Sequence, residues 1–305
     1  MPDITPWFWV LKLLITCMGE SISDYLAASI NQYLAVFIGF VIWVIAMIWM
    51  LRTPRYNIVT YWAGVSAVAI FGTMPADGLH LQLGIPYEVT SLGFAIWLAI
   101  VLFAWYRSEG TLDIHSITTT RRQVFYWLTV VSTFALGTAV GDLVATPLHL
   151  GYLAAGLLFS VLILIPLIAW RLGASPVVTF WVAYILTRPI GASFADLIGQ
   201  PKSISGLGIG HPPVFITTAV LVIAIVIYLK VTGKDLLTPR GTAAHEPGEP
   251  AAYEQPRGYE QRRPEPSFTP EPSFTPRPEY PQEADYGQPG DYGQPGYQQA
   301  PPDHR

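Results

Sequence analysis

The chain has 305 residues, of which 51% are hydrophobic and only 12% charged, with a formal net charge of -4. Soluble domains carry about 25% charged residues, so the composition points to a membrane protein, and no basic stripe suggests nucleic-acid binding. The single cysteine, Cys17, rules out a disulfide within the chain and argues against a thiolate metal site.

Charge-poor stretches predict eight spans, at about 7–26, 33–51, 57–79, 87–106, 123–146, 149–170, 176–198 and 212–230. Each is near the roughly 20 residues that a bilayer core requires. The first apolar run has no basic region before it, so it reads as a first span rather than a cleaved signal. The odd spans share one motif: aromatic, Trp, nine residues, Gly, four residues, Asp. It reads Phe8-Trp9, Gly19, Asp24; Tyr61-Trp62, Gly72, Asp77; Tyr126-Trp127, Gly137, Asp142; and Phe180-Trp181, Gly191, Asp196. Successive motif Trp residues are 53, 65 and 54 positions apart, which makes a tandem repeat with one longer connection. Each repeat is expected to be a two-helix hairpin. The four cover about 7–51, 57–106, 122–171 and 176–230 of a polytopic transmembrane domain, 1–238.

The connections set an orientation. Arg52, Arg55, Arg107, Arg121, Arg122 and Arg171 lie in or beside the connections after even spans, whereas those after odd spans hold only Lys202. The positive-inside bias then places both termini in the cytoplasm. Trp49, Trp105 and Trp170 read as anchors on that side, and the motif residues Trp9, Trp62, Trp127 and Trp181 as interface anchors near it. Two spans per repeat give parallel repeats about an axis along the membrane normal. The four Asp should share one depth, about 22 Å from the Trp level at 1.5 Å per residue.

After Pro239 the composition changes. This segment holds eleven acidic and six basic residues, against ten and eleven in residues 1–238. It is rich in Pro, Gln, Gly and Tyr, with direct repeats at Glu265–Pro270 and Glu271–Pro276, and at Asp285–Gly290 and Asp291–Gly296. Residues 239–305 are read as a disordered cytoplasmic tail, either solubilising or able to bind a cytoplasmic protein.

The motif residues divide by chemistry. Gly19, Gly72, Gly137 and Gly191 pair with a small residue four positions on: Ser23, Ala76, Gly141 and Ala195. That stripe suits close helix packing. Pro75 and Pro189 suggest helices broken near the carboxylates, a device of cation sites in transporters. Asp24, Asp77, Asp142 and Asp196, with Glu20 one turn deeper, are candidates to bind a cation or proton, because gathered carboxylates cannot all ionise alone. Oxygen ligands suit Mg²⁺, Mn²⁺ or Ca²⁺; His80, His149 or His211 would shift the preference toward transition metals. The competing reading makes the same Asp residues acceptors for helix-end backbone or interfacial water. Arg188 interrupts an apolar run and needs a partner, for which Glu20 is the candidate. Phosphate-binding loops, zinc-protease motifs and nucleophile elbows are lacking, so an enzyme is not expected and no cofactor beyond a divalent cation is implied.

Over about residues 7–230 the chain resembles a bacterial family of integral membrane proteins built from a repeat of unknown function, also called membrane-anchored proteins. Gly137-Thr138 to Gly141-Asp142 and Arg188-Pro189-Ile190-Gly191 to Asp196 carry the likeness most clearly. The first copy departs with Glu20 where Thr73 and Thr138 stand, and the fourth with Ala192. The resemblance implies a bacterial inner-membrane location and supplies no activity. The leading expectation is a permease for a small cation, with the bilayer as its surroundings. The alternative is a non-transporting scaffold or sensor acting through its tail.

Overall fold

The structure, a computed structural model, describes residues 1–53 and 56–235. The predicted tail, 239–305, lies outside the described residues. Eight spans are present, each within a few residues of its expected bounds. They are α1 (Pro6–Ser29), α2 (Gln32–Arg52), α3 (Ile58–Leu83), α4 (Tyr87–Glu109), α5 (Thr120–Ala145), α6 with α7 (Gly151–Leu162 and Leu164–Arg171, one span bent at Ile163), α8 (Pro176–Gly199) and α9 (His211–Thr232). Local chemistry sets their ends. Asn31 and Asn57 accept from the first free N–H groups of α2 and α3, at 2.9 and 2.8 Å. Gly84 and Gly110 end α3 and α4 in the left-handed conformation, at φ 64° and 69°. Pro147 follows the end of α5, as a residue without an N–H should.

Seven spans are long and apolar enough to cross a membrane by length and composition. The eighth, α1, is as long but carries Lys12, Glu20 and Asp24. It can do so because it lies in the interior, where Lys12 and Glu20 are buried. Helices α1, α3, α5 and α8, which hold the motif, pack in a closed ring in that order. The other helices surround the ring and expose apolar side chains outward, among them Phe37, Ile45, Phe103, Ile165 and Val220. An apolar exterior around a polar, packed interior is what a bilayer demands.

Within each repeat the two helices are consecutive but touch little. Each outer helix instead packs on the next motif helix: α2 on α3, α4 on α5, α6 on α8, and α9 back on α1. Trp43 stacks on Phe71 at 5.2 Å, Trp97 donates to Ser132 Oγ at 3.0 Å, and Tyr25 meets Phe215 at 5.6 Å. The sequence hairpin is therefore not the packing unit.

One contact recurs around the ring. A Cβ built on Gly19 would lie 2.5 Å from the Ala69 Cβ, one on Gly72 2.6 Å from that of Phe134, one on Gly137 2.5 Å from that of Arg188, and one on Gly191 2.6 Å from that of Thr16. Each partner stands seven residues after the motif Trp of the next repeat. Four glycines thus seat four equivalent side chains in a cycle, and the small-residue stripe acts as a seat for the neighbouring helix. The first and fourth repeats are adjacent, which closes the circle.

One expectation changes here. Pro75 and Pro189 do not break their helices: α3 and α8 run through both as continuous helices. Neighbouring helices can absorb the lost backbone bond. The longer connection after α4 has local structure of its own. Residues 110–119 carry a 3₁₀ turn, Ile114–Ser116, that places Ile114 and Ile117 in the core beside the motif aromatics. The Trp181 indole donates to Leu112 O at 2.9 Å, tying this segment to the motif-Trp end of the ring.

The packing makes a prediction with a built-in control. Gly72→Ala should lower stability in detergent by about 1–3 kcal/mol, the usual cost of overpacking a filled interior. Gly78→Ala lies on the same helix and would meet nothing within 4 Å. It should be neutral or slightly stabilising, by up to about 1 kcal/mol from helix propensity. Thermal melting of the purified variants reads both.

Candidate functional site

The ring encloses a column of side chains that changes character along its axis. At the motif-Trp end the aromatic and Trp of each copy meet edge-on, with ring centroids at 5.2 Å for Phe8–Trp9, 5.1 Å for Tyr61–Trp62, and 5.2 Å for both Tyr126–Trp127 and Phe180–Trp181. Each aromatic also reaches the Trp of the next repeat: Phe8 to Trp62 at 5.6 Å, Tyr61 to Trp127 at 5.9 Å, Tyr126 to Trp181 at 6.2 Å, and Phe180 to Trp9 at 5.8 Å. Eight rings form one closed belt. Tilted and edge-on aromatic pairs add about 0.5–1.5 kcal/mol each beyond their burial. The Tyr61 and Tyr126 hydroxyls share a hydrogen bond of 2.6 Å inside it.

This belt corrects the reading of the motif Trp residues as interface anchors. Trp62, Trp127 and Trp181 are buried and Trp9 is half-buried. Trp105 is also buried, at 5.7 Å from Trp181, whereas Trp49 and Trp170 are exposed.

Next along the column is Lys12. Its ammonium is fully buried and stands 4.0 Å from the centroids of both the Phe134 and Tyr184 rings, with no hydrogen-bond acceptor. Two aromatic faces take the place of a carboxylate partner.

Beyond it lies Arg188, fully buried. Its guanidinium pairs with Glu20 and donates to the Thr73 hydroxyl. It also donates to Thr138 Oγ1 at 2.8 Å and to Thr16 O at 3.2 Å. All four repeats contribute to this layer. Glu20, Thr73 and Thr138 occupy the same motif position, directly after the Gly. The sequence comparison of that position identified the outlier, Glu20, but not that its two Thr counterparts bind the same cation.

Above Arg188 the column opens into a cavity of about 420 Å³. Glu20 forms part of its lining, and Asp24, Asp77, Asp142 and Asp196 all line it. The four motif Asp residues, one from each ring helix, are thus brought to one chamber. Asp77 Oδ2 and Asp196 Oδ1 are buried without a hydrogen-bond partner. Asp24 Oδ2 accepts from Gln200 Nε2 at 3.2 Å and lies 3.6 Å from His211 Nδ1. Ligating oxygens of Glu20, Asp24 and Asp196 lie within 4.8 Å of one another. Of the three histidines singled out, His80 and His211 line the cavity. His80 stacks on Tyr87 at 3.7 Å, with Nδ1 3.0 Å from Ile85 O. His149 stands apart, exposed in the turn after α5 with φ 56°. Gln32, Tyr87, Thr146, Tyr152 and Gln200 complete much of the wall. Sequence reasoning did not select them. They come from loops and outer helices that carry no shared motif.

A ring of motif helices around a polar column, with apolar helices outside, defines a multi-pass helical membrane protein built from tandem repeats. The sequence pattern of a family described as a repeat of unknown function (DUF347) matches residues 60–111, 125–173 and 179–235, together just over half of the chain. The chain belongs to that family. No curated protein and no solved structure matches it. The matched segments are the second, third and fourth repeats. The first lies outside them, yet obeys the same glycine and aromatic contact rules. It is also the copy that carries Lys12 and Glu20.

The Arg188 layer makes a second prediction. Removing one partner strands a buried charge, at a cost of about 3–5 kcal/mol, whereas an apolar pair can be nearly neutral. Glu20→Met and Arg188→Met should each lower the melting temperature sharply. The double variant should lose much less than the sum of the two. Additive losses would show that the pair is not coupled.

Proposed function

We propose that the protein transports a small cation, with the carboxylate-lined cavity as the chamber where the cation is first held. The observation that carries this reading is the convergence of Asp24, Asp77, Asp142, Asp196 and Glu20 on one chamber, two of them with buried oxygens that lack a partner. Acidic groups gathered in low dielectric cannot all be ionised without a cation or a bound proton. A membrane interior seldom retains them without such a task.

The same column argues against an open cation pore. A cation leaving the chamber along the axis would meet Arg188, then Lys12, then the aromatic belt. The guanidinium, in a poorly screened interior, would repel it strongly. Passage therefore needs Arg188 to leave Glu20, which makes the protein a gated carrier. Proton exchange at the same carboxylates would supply the compensating charge. The arginine-rich connections favour an orientation with both termini in the cytoplasm of a bacterial inner membrane, and the chamber then opens outward.

The test is cation uptake in proteoliposomes. The Asp77→Asn, Asp142→Asn double variant should lose about tenfold or more of the flux, the scale on which a charged cleft concentrates an oppositely charged solute. A chain ending at residue 238 should transport as the full chain does. Unchanged flux in the double variant would overturn the proposal. Loss of the cellular phenotype on tail deletion alone would favour a scaffold or sensor acting through its tail.

A further inference from the structure

The chamber is not symmetric, and its asymmetry names a ligand. On the α1–α8 side the ligating oxygens of Glu20, Asp24 and Asp196 lie within 4.8 Å of one another. Asp77 and Asp142 line the same chamber but do not belong to that cluster. Asp196 is 3% exposed, and its Oδ1 is buried with no hydrogen-bond partner. A carboxylate oxygen held this way has lost water and gained nothing, which is the condition of a ligand awaiting a cation.

A nitrogen stands beside one of these oxygens, outside the mutual 4.8 Å cluster, where a bound ion could draw it in. His211 opens α9, the helix that packs on α1, and its Nδ1 is 3.6 Å from Asp24 Oδ2 with no hydrogen-bond partner. Its place is made by a missing side chain: a Cβ on Gly199 would lie 2.7 Å from that same Nδ1. Gln200 Nε2 donates to Asp24 Oδ2 at 3.2 Å and holds the carboxylate oriented, as outer groups orient metal ligands.

We propose that Glu20, Asp24, Asp196 and His211 form a binding site for one divalent transition-metal ion of the Mn²⁺ or Zn²⁺ type; the proposal rests on the transport reading for its purpose but not for its geometry. Charge favours a multivalent ion: five carboxylates line the chamber, the Arg188 guanidinium offsets one of them at Glu20, and a divalent ion offsets two more where a monovalent ion offsets one. Ligand type selects the metal. An imidazole among three carboxylates disfavours Mg²⁺ and Ca²⁺, which prefer all-oxygen shells, and suits Mn²⁺ or Zn²⁺. Asp77 and Asp142, on the remaining wall, attract the ion without ligating it.

The test uses the purified full-length chain in nanodiscs, with Mn²⁺ as the probe. Loss of the free Mn²⁺ resonance in electron paramagnetic resonance counts bound ions, and pulsed measurements detect a ¹⁴N ligand. One Mn²⁺ per chain is expected, with ¹⁴N modulation that disappears in His211→Gln. Asp196→Asn and Asp24→Asn should each weaken binding by about tenfold or more, on the scale of a lost coordinating partner, with unchanged melting temperature. Asp77→Asn should change it much less. Absence of Mn²⁺ binding, or binding that both Asp196→Asn and Asp24→Asn leave intact, overturns the site. Bound Mn²⁺ without ¹⁴N modulation overturns the role of His211. Binding as described but no Mn²⁺ flux in proteoliposomes upholds the site and fails the transport reading. Flux of another cation with no Mn²⁺ binding does the reverse.

Discussion

A guanidinium without access to water in the middle of a helix bundle needs partners, and the rest of this structure is arranged to supply them to its two terminal nitrogens, while Nε is left without one. Arg188 is surrounded by Glu20, Thr73, Thr138 and the carbonyl of Thr16. These groups come from the other three ring helices, so the charge can be satisfied only when the ring is closed and in register. The Arg188 backbone in turn needs the absence of a side chain at Gly137, against which its own Cβ and Cγ pack. One residue thereby links the register of the helices, the seal across the column and the state of Glu20 at the chamber floor. Buried ion pairs are weak sources of net stability. Their stronger effect here is to specify which arrangement of four similar helices is reached.

The repeats are alike in packing and unlike in charge. Glycine seating and the aromatic belt repeat around the full circle, including the first copy that the family pattern does not match. Beyond the shared Asp the charges do not repeat: Lys12 and Glu20 belong to the first copy and Arg188 to the fourth. Since those copies are neighbours, the departures from symmetry meet at one junction. The carboxylate cluster of Glu20, Asp24 and Asp196 lies at the same junction. Symmetry accounts for the scaffold, and its local failure for the site.

Much of the scaffold was legible in the chain. Charge-poor stretches placed eight spans to within a few residues, because a bilayer fixes their length. The fixed offset from Trp to Asp implied one level for the four acids, and the lone Arg188 implied a partner. The order of packing was not legible. A repeat period states what each unit contains but not which neighbour its outer helix leans on, and here that helix leans forward onto the next unit. The motif Trp residues were misread because tryptophan at the end of an apolar span suggests an interface, while the adjacent aromatic at every copy was the better cue to a packed belt. Prolines 75 and 189 suggested breaks, but a helix held on several sides passes through them. The Thr73 and Thr138 contacts required knowing that Arg188 reaches the axis. No one-dimensional pattern carries that.

The account stands on a chamber open at the Asp level and sealed from Arg188 downward. Side-directed cysteine labelling tests this most directly, in a Cys17→Ser background reconstituted in vesicles. A membrane-impermeant thiol reagent added from the chamber side should react with Asp77→Cys and Asp142→Cys. The same reagent from that side should leave Val65→Cys and Val130→Cys, at the Lys12 level, unmodified. Equal labelling at both levels from the same side would contradict the seal, and no labelling at the Asp level would contradict the chamber.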